Sequence, residues 1–224
     1  MNNSPKKLDA RLNAIVCQLR PSDLTADVGC DHGLLSLFVL KSDLAKRVLC
    51  TDISAKCLQK TKNLLSRAKL ENRAKFLVCD GLLGVEDPVD QIVIAGMGGQ
   101  TICNILENLP QHLKHTRLVL QPMNNPTFVR KTLNKLGKRL TRDEIIFDKN
   151  KYYHILCAEE GKQVLSQHQI RCGAVTEDYR SADYQKWLGL KIAKVTKILE
   201  GIDPQNPRYS EMSDYLQSLK KCIF

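Results

Sequence analysis

The chain has 224 residues, 43% hydrophobic and 26% charged, which admits one sizeable α/β domain with a small appendage and excludes a disordered chain. Lys+Arg outnumber Asp+Glu by 34 to 24, a formal charge of +10. No apolar run reaches the ~18 residues a membrane span needs, and Met1-Asn2-Asn3-Ser4-Pro5-Lys6-Lys7 lacks the apolar core of a signal peptide, so a cytoplasmic location and no membrane partner are expected.

Leu8, Leu12, Ile15, Val16 and Leu19 share one face of a predicted helix over 8–19, and Arg11 projects from another. Pro21-Ser22-Asp23 breaks it. Leu24-Thr25-Ala26-Asp27-Val28-Gly29-Cys30-Asp31-His32-Gly33 reads as a buried strand, a glycine-punctuated turn and the start of a helix that continues over 34–41. Glycines there let the backbone approach a ligand, and the helix start offers free N–H groups. A second strand over 47–52 ends at Asp52, and Ser54 caps a helix over about 55–69. A third strand over 74–79 ends at Asp80-Gly81, and a fourth over 90–95 ends at Gly96-Met97-Gly98-Gly99, before a helix over about 100–108. A fifth strand over 116–121 ends at Pro122, and a helix over about 125–136 stops near Gly137.

Strand and helix thus alternate five times, as in a parallel, doubly wound sheet. Residues 140–147 and 152–158 then form a hairpin through Asp148-Lys149-Asn150-Lys151. Five β/α units and a terminal antiparallel hairpin are the layout of a class I methyltransferase, a Rossmann-like α/β fold. Residues 1–160 are assigned to that domain and 161–224 to a linker and C-terminal helical hairpin. The linker, 159–183, is polar. Leu188, Ile192, Val195, Leu199 and Ile202, then Met212, Leu216, Leu219 and Ile223, repeat at coiled-coil spacing around a turn at 203–207. That pair is an RNA-contacting arm, a dimerisation element or a cover for the domain, and the oligomeric state, monomer or weak dimer, stays open.

Nine cysteines, an odd number with no C-x-x-C pair, read as reduced and mostly buried, with no metal site. Residues 1–158 hold 24 basic and 15 acidic residues, +9, against 10 and 9, +1, in 159–224. A basic catalytic domain suits a polyanion, or is simply a basic surface.

The chemistry sits at the strand ends. Asp52 is placed to accept two ribose hydroxyls and Asp80 the amino group of an adenine, which together suit S-adenosylmethionine better than NAD, although either acid alone reads equally well as a surface-loop Asp. His32 is either a helix-start histidine or a contact to cofactor or substrate; Asp31 either caps the helix or faces the cofactor. Gln121-Pro122-Met123-Asn124 offers amides able to read a base edge, or is a proline-stopped turn.

Asp27-Val28-Gly29-Cys30-Asp31-His32-Gly33, Ile94-Ala95-Gly96-Met97-Gly98-Gly99 and Leu120-Gln121-Pro122 together resemble the bacterial tRNA (adenine-22-N1)-methyltransferase family (TrmK-like). The Arg11-Leu12 helix and the Tyr152-Tyr153 strand are similar too, and Met123 departs from the Asn usual after Gln-Pro. The resemblance implies methyl transfer from S-adenosylmethionine to N1 of an adenine in the tRNA D-arm. Cofactor contacts are then expected at Asp27, Gly29, Cys30, Asp31, His32, Gly33, Asp52, Ile53, Asp80, Gly81, Ala95 and Gly96. Substrate contacts are expected at Arg11, His32, Gly98, Gly99, Gln121, Pro122, Asn124 and Tyr153. Asp31, Gly96 and Met97 are the expected reaction centre. Neutral adenine N1 has a free lone pair, so alignment rather than a general base is required, and the base must leave its stack. The alternatives are a methyltransferase for a protein or small molecule, or a silent RNA-binding module.

Overall fold

The computed structural model describes residues 8–173 and 175–223. A seven-stranded sheet runs in the order β3-β2-β1-β4-β5-β7-β6, with β1 (Ser22–Val28), β2 (Ala45–Asp52), β3 (Ala74–Val78), β4 (Gln91–Met97), β5 (Arg117–Pro122), β6 (Lys138–Asp148) and β7 (Lys151–Glu160). The first five are mutually parallel, and β7 is antiparallel to both β5 and β6. The expected class I methyltransferase architecture is therefore present. β1 and β4 pair at the point where the strand order reverses, which opens a crevice at their carboxyl ends.

Strand side chains alternate between two cores. Ile92 and Ile94 face one, and Val93 faces the other. The first is closed by α4 (Gly99–Glu107) and α5 (Pro126–Lys135), through residues such as Ile102 and Val129. The second is closed by α1 (Ala10–Cys17), α2 (Leu34–Lys41) and α3 (Ala55–Arg67), through Ile15, Leu35 and Leu58. Burial on both faces explains why these strands read as unbroken apolar runs. One link departs from the alternation. Between β3 and β4 the chain forms turns, and Leu82, Val85 and Val89 fill the core where a helix would.

The hairpin is longer than its apolar runs suggest. Its turn shrinks to Lys149 and Asn150, at φ 47° and 63°. Two left-handed residues match the right-handed twist of the paired strands. The segment expected to be a linker carries α6 (Gln167–Cys172) and a 3-10 turn at Glu177–Arg180, and its Leu165 and Ile170 enter the first core. The helical hairpin forms as α7 (Ala182–Glu200) and α8 (Pro207–Lys220). Leu188, Ile192, Val195 and Leu199 pack with Leu216 and Leu219 as the spacing predicts, while Ile223 is exposed. At its base Tyr184 and Trp187 pack on Ile145 of β6, and Trp187 meets the His154 ring edge-on at 5.2 Å.

Candidate functional site

The carboxyl end of β1 turns through Gly29 and into α2 at Gly33, at φ 69° and 70°. Both positions exclude a side chain. A Cβ on Gly29 would overlap the Met97 methyl, and one on Gly33 would lie 2.5 Å from the Thr61 side chain. Asp27 is buried behind this turn. The Ser36 hydroxyl donates to its carboxylate at 2.6 Å, and the Ser36 N–H donates as well. Burial pushes the Asp27 carboxyl up to about 6; the Ser36 hydrogen bonds oppose that rise and the charge of Asp52 adds to it.

Asp31 stands at the rim, at φ 42°. Its N–H donates to Asp52 Oδ2 at 3.3 Å, and its carbonyl accepts from the Thr61 hydroxyl at 2.9 Å. The backbone is thus held from both sides while the carboxylate stays exposed, 3.4 Å from Nε2 of His32. α2 has Gly33 as its N-cap and no side-chain cap, so Asp31 does not cap the helix. Asp52 also accepts the Ser54 N–H at 2.8 Å, and Ser54 caps α3 by accepting the Cys57 N–H, as the sequence predicts.

β4 and β5 supply the opposite wall. Gln121 is fully buried. Its Oε1 accepts from Arg11 Nη1 at 2.7 Å and from the Gly96 N–H at 3.2 Å, and its Nε2 donates to the Pro122 carbonyl at 2.9 Å. The amide is therefore used in holding the wall, and the group it presents outward is Arg11, which also lies 5.7 Å from the centre of the Tyr153 ring. Asp9 anchors α1 by capping it and by pairing with Lys149 of the hairpin turn at 2.7 Å. Asn124 accepts the Gly99 N–H at 3.0 Å. A Cβ on Gly99 would lie 2.7 Å from the carbonyls of Asn124 and Asn125, so this glycine serves close backbone packing rather than an open platform.

These groups enclose a cleft of about 360 Å³, lined by Arg11, Asp27, Gly29, Cys30, Asp31, His32, Ala95, Gly96 and Met97. Leu12, Leu34, Leu35 and Met123 complete the lining. Sequence reading did not select the three leucines, because apolar helix residues look like core. It also missed Ser36, whose signal was a lone hydroxyl inside an apolar helix. Asp80 and Gly81 line a second pocket of about 170 Å³ with Thr101 and Asn104 of α4. Ile53, 73% exposed, follows Asp52 at the edge.

The cleft fits a small ligand with a cationic head. A buried carboxylate looks into it, glycine backbone forms its floor, and further carboxylates follow at the next two strand ends. Among the described residues no His, Cys, Asp and Glu group is placed to hold a metal ion, all nine cysteines are free, and no helix is long and apolar enough to cross a membrane.

A family profile described as "Methyltransferase domain" matches residues 8–156. The chain is 25% identical to the tRNA (adenine(22)-N(1))-methyltransferase of Bacillus subtilis across 97% of both proteins. It is 30% identical to a Mycoplasma pneumoniae protein called "Putative tRNA methyltransferase", over 71% of this chain and 75% of that one. Its fold superposes on Streptococcus pneumoniae Sp1610, solved in complex with S-adenosyl-L-methionine, with a TM-score of 0.87 and 25% identity, covering 97% of this chain and 100% of that one.

Proposed function

Since this chain belongs to the methyltransferase-domain family and, within it, to the bacterial tRNA (adenine-22-N1)-methyltransferases, we propose that it methylates N1 of the adenine at tRNA position 22. S-adenosylmethionine is its cofactor and supplies an electrophilic methyl group on a sulfonium. Asp27 is the residue matched to the cofactor's ammonium, the Gly29–Gly33 turn to its close approach, Asp52 to its ribose hydroxyls, and Asp80 with Gly81 to its adenine. The observation that carries this reading is the buried Asp27 carboxylate in a cleft with a glycine turn, whose rim residue Asp31 is tied through its N–H to Asp52 at the end of β2.

The remaining chemistry asks little of the protein beyond position. N1 attacks with its own lone pair, so aligning the two partners lowers the barrier without proton abstraction. The product ring is cationic. Asp31, fixed through its backbone and exposed at the rim, is the carboxylate that would stabilise it by accepting from the exocyclic amine. Arg11, held by Gln121 beside Tyr153, is the residue to steady a base turned out of its stack or the phosphate next to it. The uncommitted Nδ2 of Asn124 is a further donor beside Gly98. Residues 1–160 would carry catalysis and 161–224 would support them, in the cytoplasm where tRNA is found.

The test is incubation with labelled S-adenosylmethionine and unmodified tRNA transcript, followed by mapping of the methylated base. N1-methyladenosine at position 22 is expected. Cofactor binding without methylation of any adenine N1 would refute the assignment.

A further inference from the structure

α3 carries the highest net positive charge of the helices that cover the sheet. It holds Lys56, Lys60, Lys62 and Arg67 and no carboxylate. Lys62 pairs with Glu71 at 3.5 Å. Lys56, Lys60 and Arg67 have no ion pair among the described residues, and all three are exposed. Their positions, with Asn63, follow a spacing of 4, 3 and 4, which aligns them along one face of the helix.

That face borders a surface groove of about 490 Å³ lined by His32, Leu34, Lys60, Asn63, Leu64 and Arg67. His32 and Leu34 also line the cofactor cleft. The two depressions therefore share a rim at the α2 start, with Asp27 in the cleft on one side and the α3 cations in the groove on the other. None of the α3 cations lines the cofactor cleft. On the cleft side of that rim stand the carboxylates of Asp27, in the cleft itself, Asp31, beside His32, and Asp52, tied to backbone N–H groups. The residues lining the groove include two cations and an amide and no carboxylate.

The geometry points to this groove as a phosphate-tracking subsite for the RNA strand that flanks the target nucleotide. When the base enters the cleft, its sugar–phosphate backbone stays outside and must leave along one wall. The α3 wall offers two uncompensated cations and an amide donor at helical spacing, and it begins where the cleft ends. Lys60 and Arg67 bind phosphates there, Asn63 donates to a phosphate or a 2′-hydroxyl, and the imidazole of His32 marks the boundary between base and backbone. This rests on the tRNA reading above.

Equilibrium binding of unmodified tRNA decides it, measured over a range of salt and separately from turnover. Three proteins are compared: the wild type, Lys60→Ala/Arg67→Ala, and a charge-matched control, Lys41→Ala/Lys114→Ala, whose lysines are exposed just before β2 and β5, at the amino ends of the strands and away from the cleft at their carboxyl ends. The α3 variant is expected to bind tRNA roughly tenfold more weakly near 0.1 M salt. Its slope of log affinity against log salt should be shallower by about one to two, for two lost phosphate contacts. Its S-adenosylmethionine affinity should stay within twofold of wild type, which also shows that it is folded. The control should match wild type. An α3 variant that binds tRNA as the control does, with an unchanged slope, overturns the proposal, as does a wild type with no affinity for tRNA. A wild type that binds tRNA but methylates no adenine N1 refutes the activity alone, and the binding comparison still decides the groove.

Discussion

At the scale of single residues, the most informative side chain is Asp27. Burial holds its carboxyl at about 6, so it takes up a proton as the pH falls below that value. A protonated carboxyl cannot pair with the cofactor's ammonium. S-adenosylmethionine affinity should therefore drop on acidification, by roughly tenfold between pH 7 and pH 5. Asp27→Asn should bind weakly at both, and titration calorimetry measures the difference. Stability moves the other way. The folded pKa lies above the unfolded one, so the native state binds the proton first, and the Asp27 contribution is lost as the pH rises through 6. Arg11 provides a second residue-level prediction. Arg11→Ala should slow methyl transfer or weaken tRNA binding at least severalfold and leave cofactor affinity alone, because its partner is the buried Gln121 rather than the floor of the cleft. Loss of cofactor affinity instead would place Arg11 in the wrong role. Asp27, Asp31 and Asp52 were legible in the sequence because each lies at or just past the end of an apolar strand. The hold of Gln121 on Arg11 was not, since it joins residues 110 positions apart and Gln121 alone reads equally well as a base-reading amide.

Elements explain why a run of three glycines need not have one purpose. Gly96 has φ 80°, a conformation that side chains resist. Gly99 is crowded by the carbonyls of the β5–α5 loop at 2.7 Å. Gly98 is the N-cap of α4 at φ −63°, and a Cβ there would find its nearest neighbour, Asn124 Oδ1, at 3.5 Å. Gly98→Ala should therefore leave the melting temperature nearly unchanged, whereas Gly99→Ala should cost about 1–3 kcal/mol by forcing the loop off the helix start. Thermal unfolding of the two variants side by side checks this, and equal losses would show that the loop yields more easily than its contacts suggest. The motif was visible in the sequence, but the division of labour was not, because it depends on which backbone lies opposite each Cα. The helical hairpin has the same lesson. Its seam followed from heptad spacing, while its docking through Tyr184 and Trp187 was hidden, because both aromatics sit beside the apolar repeat without belonging to it.

Across the whole molecule, the sheet is joined to the C-terminal helices by a buried polar cluster. Arg130 of α5 donates twice to Asp143 of β6, at 2.9 and 2.8 Å, and once to Nδ1 of His154 on β7, at 2.9 Å. It also reaches the Ile170 carbonyl of α6 at 3.4 Å. Arg130 and Asp143 are both fully buried. Burial raises the Asp143 carboxyl even against the neighbouring guanidinium, and burial with the Arg130 charge holds His154 well below its ordinary value, hence neutral and able to accept. None of this is legible in the sequence. Arg130 lies in an amphipathic helix among exposed lysines, and Asp143 and His154 differ from outward strand residues only in which way the pleat turns them. The cluster gathers four elements, two of them strands next to the helical hairpin, so its loss should act on the whole fold rather than on one helix. Asp143→Ala leaves a guanidinium buried without its counter-charge and should cost about 3–5 kcal/mol, whereas replacing the pair together, Arg130→Met with Asp143→Leu, should cost far less because no charge is stranded. Urea unfolding followed by tryptophan fluorescence measures both, since Trp187 packs against His154 at the edge of the cluster. A single variant no less stable than the double would show that water reaches Arg130, and that the joint between sheet and hairpin rests on Tyr184 and Trp187 instead.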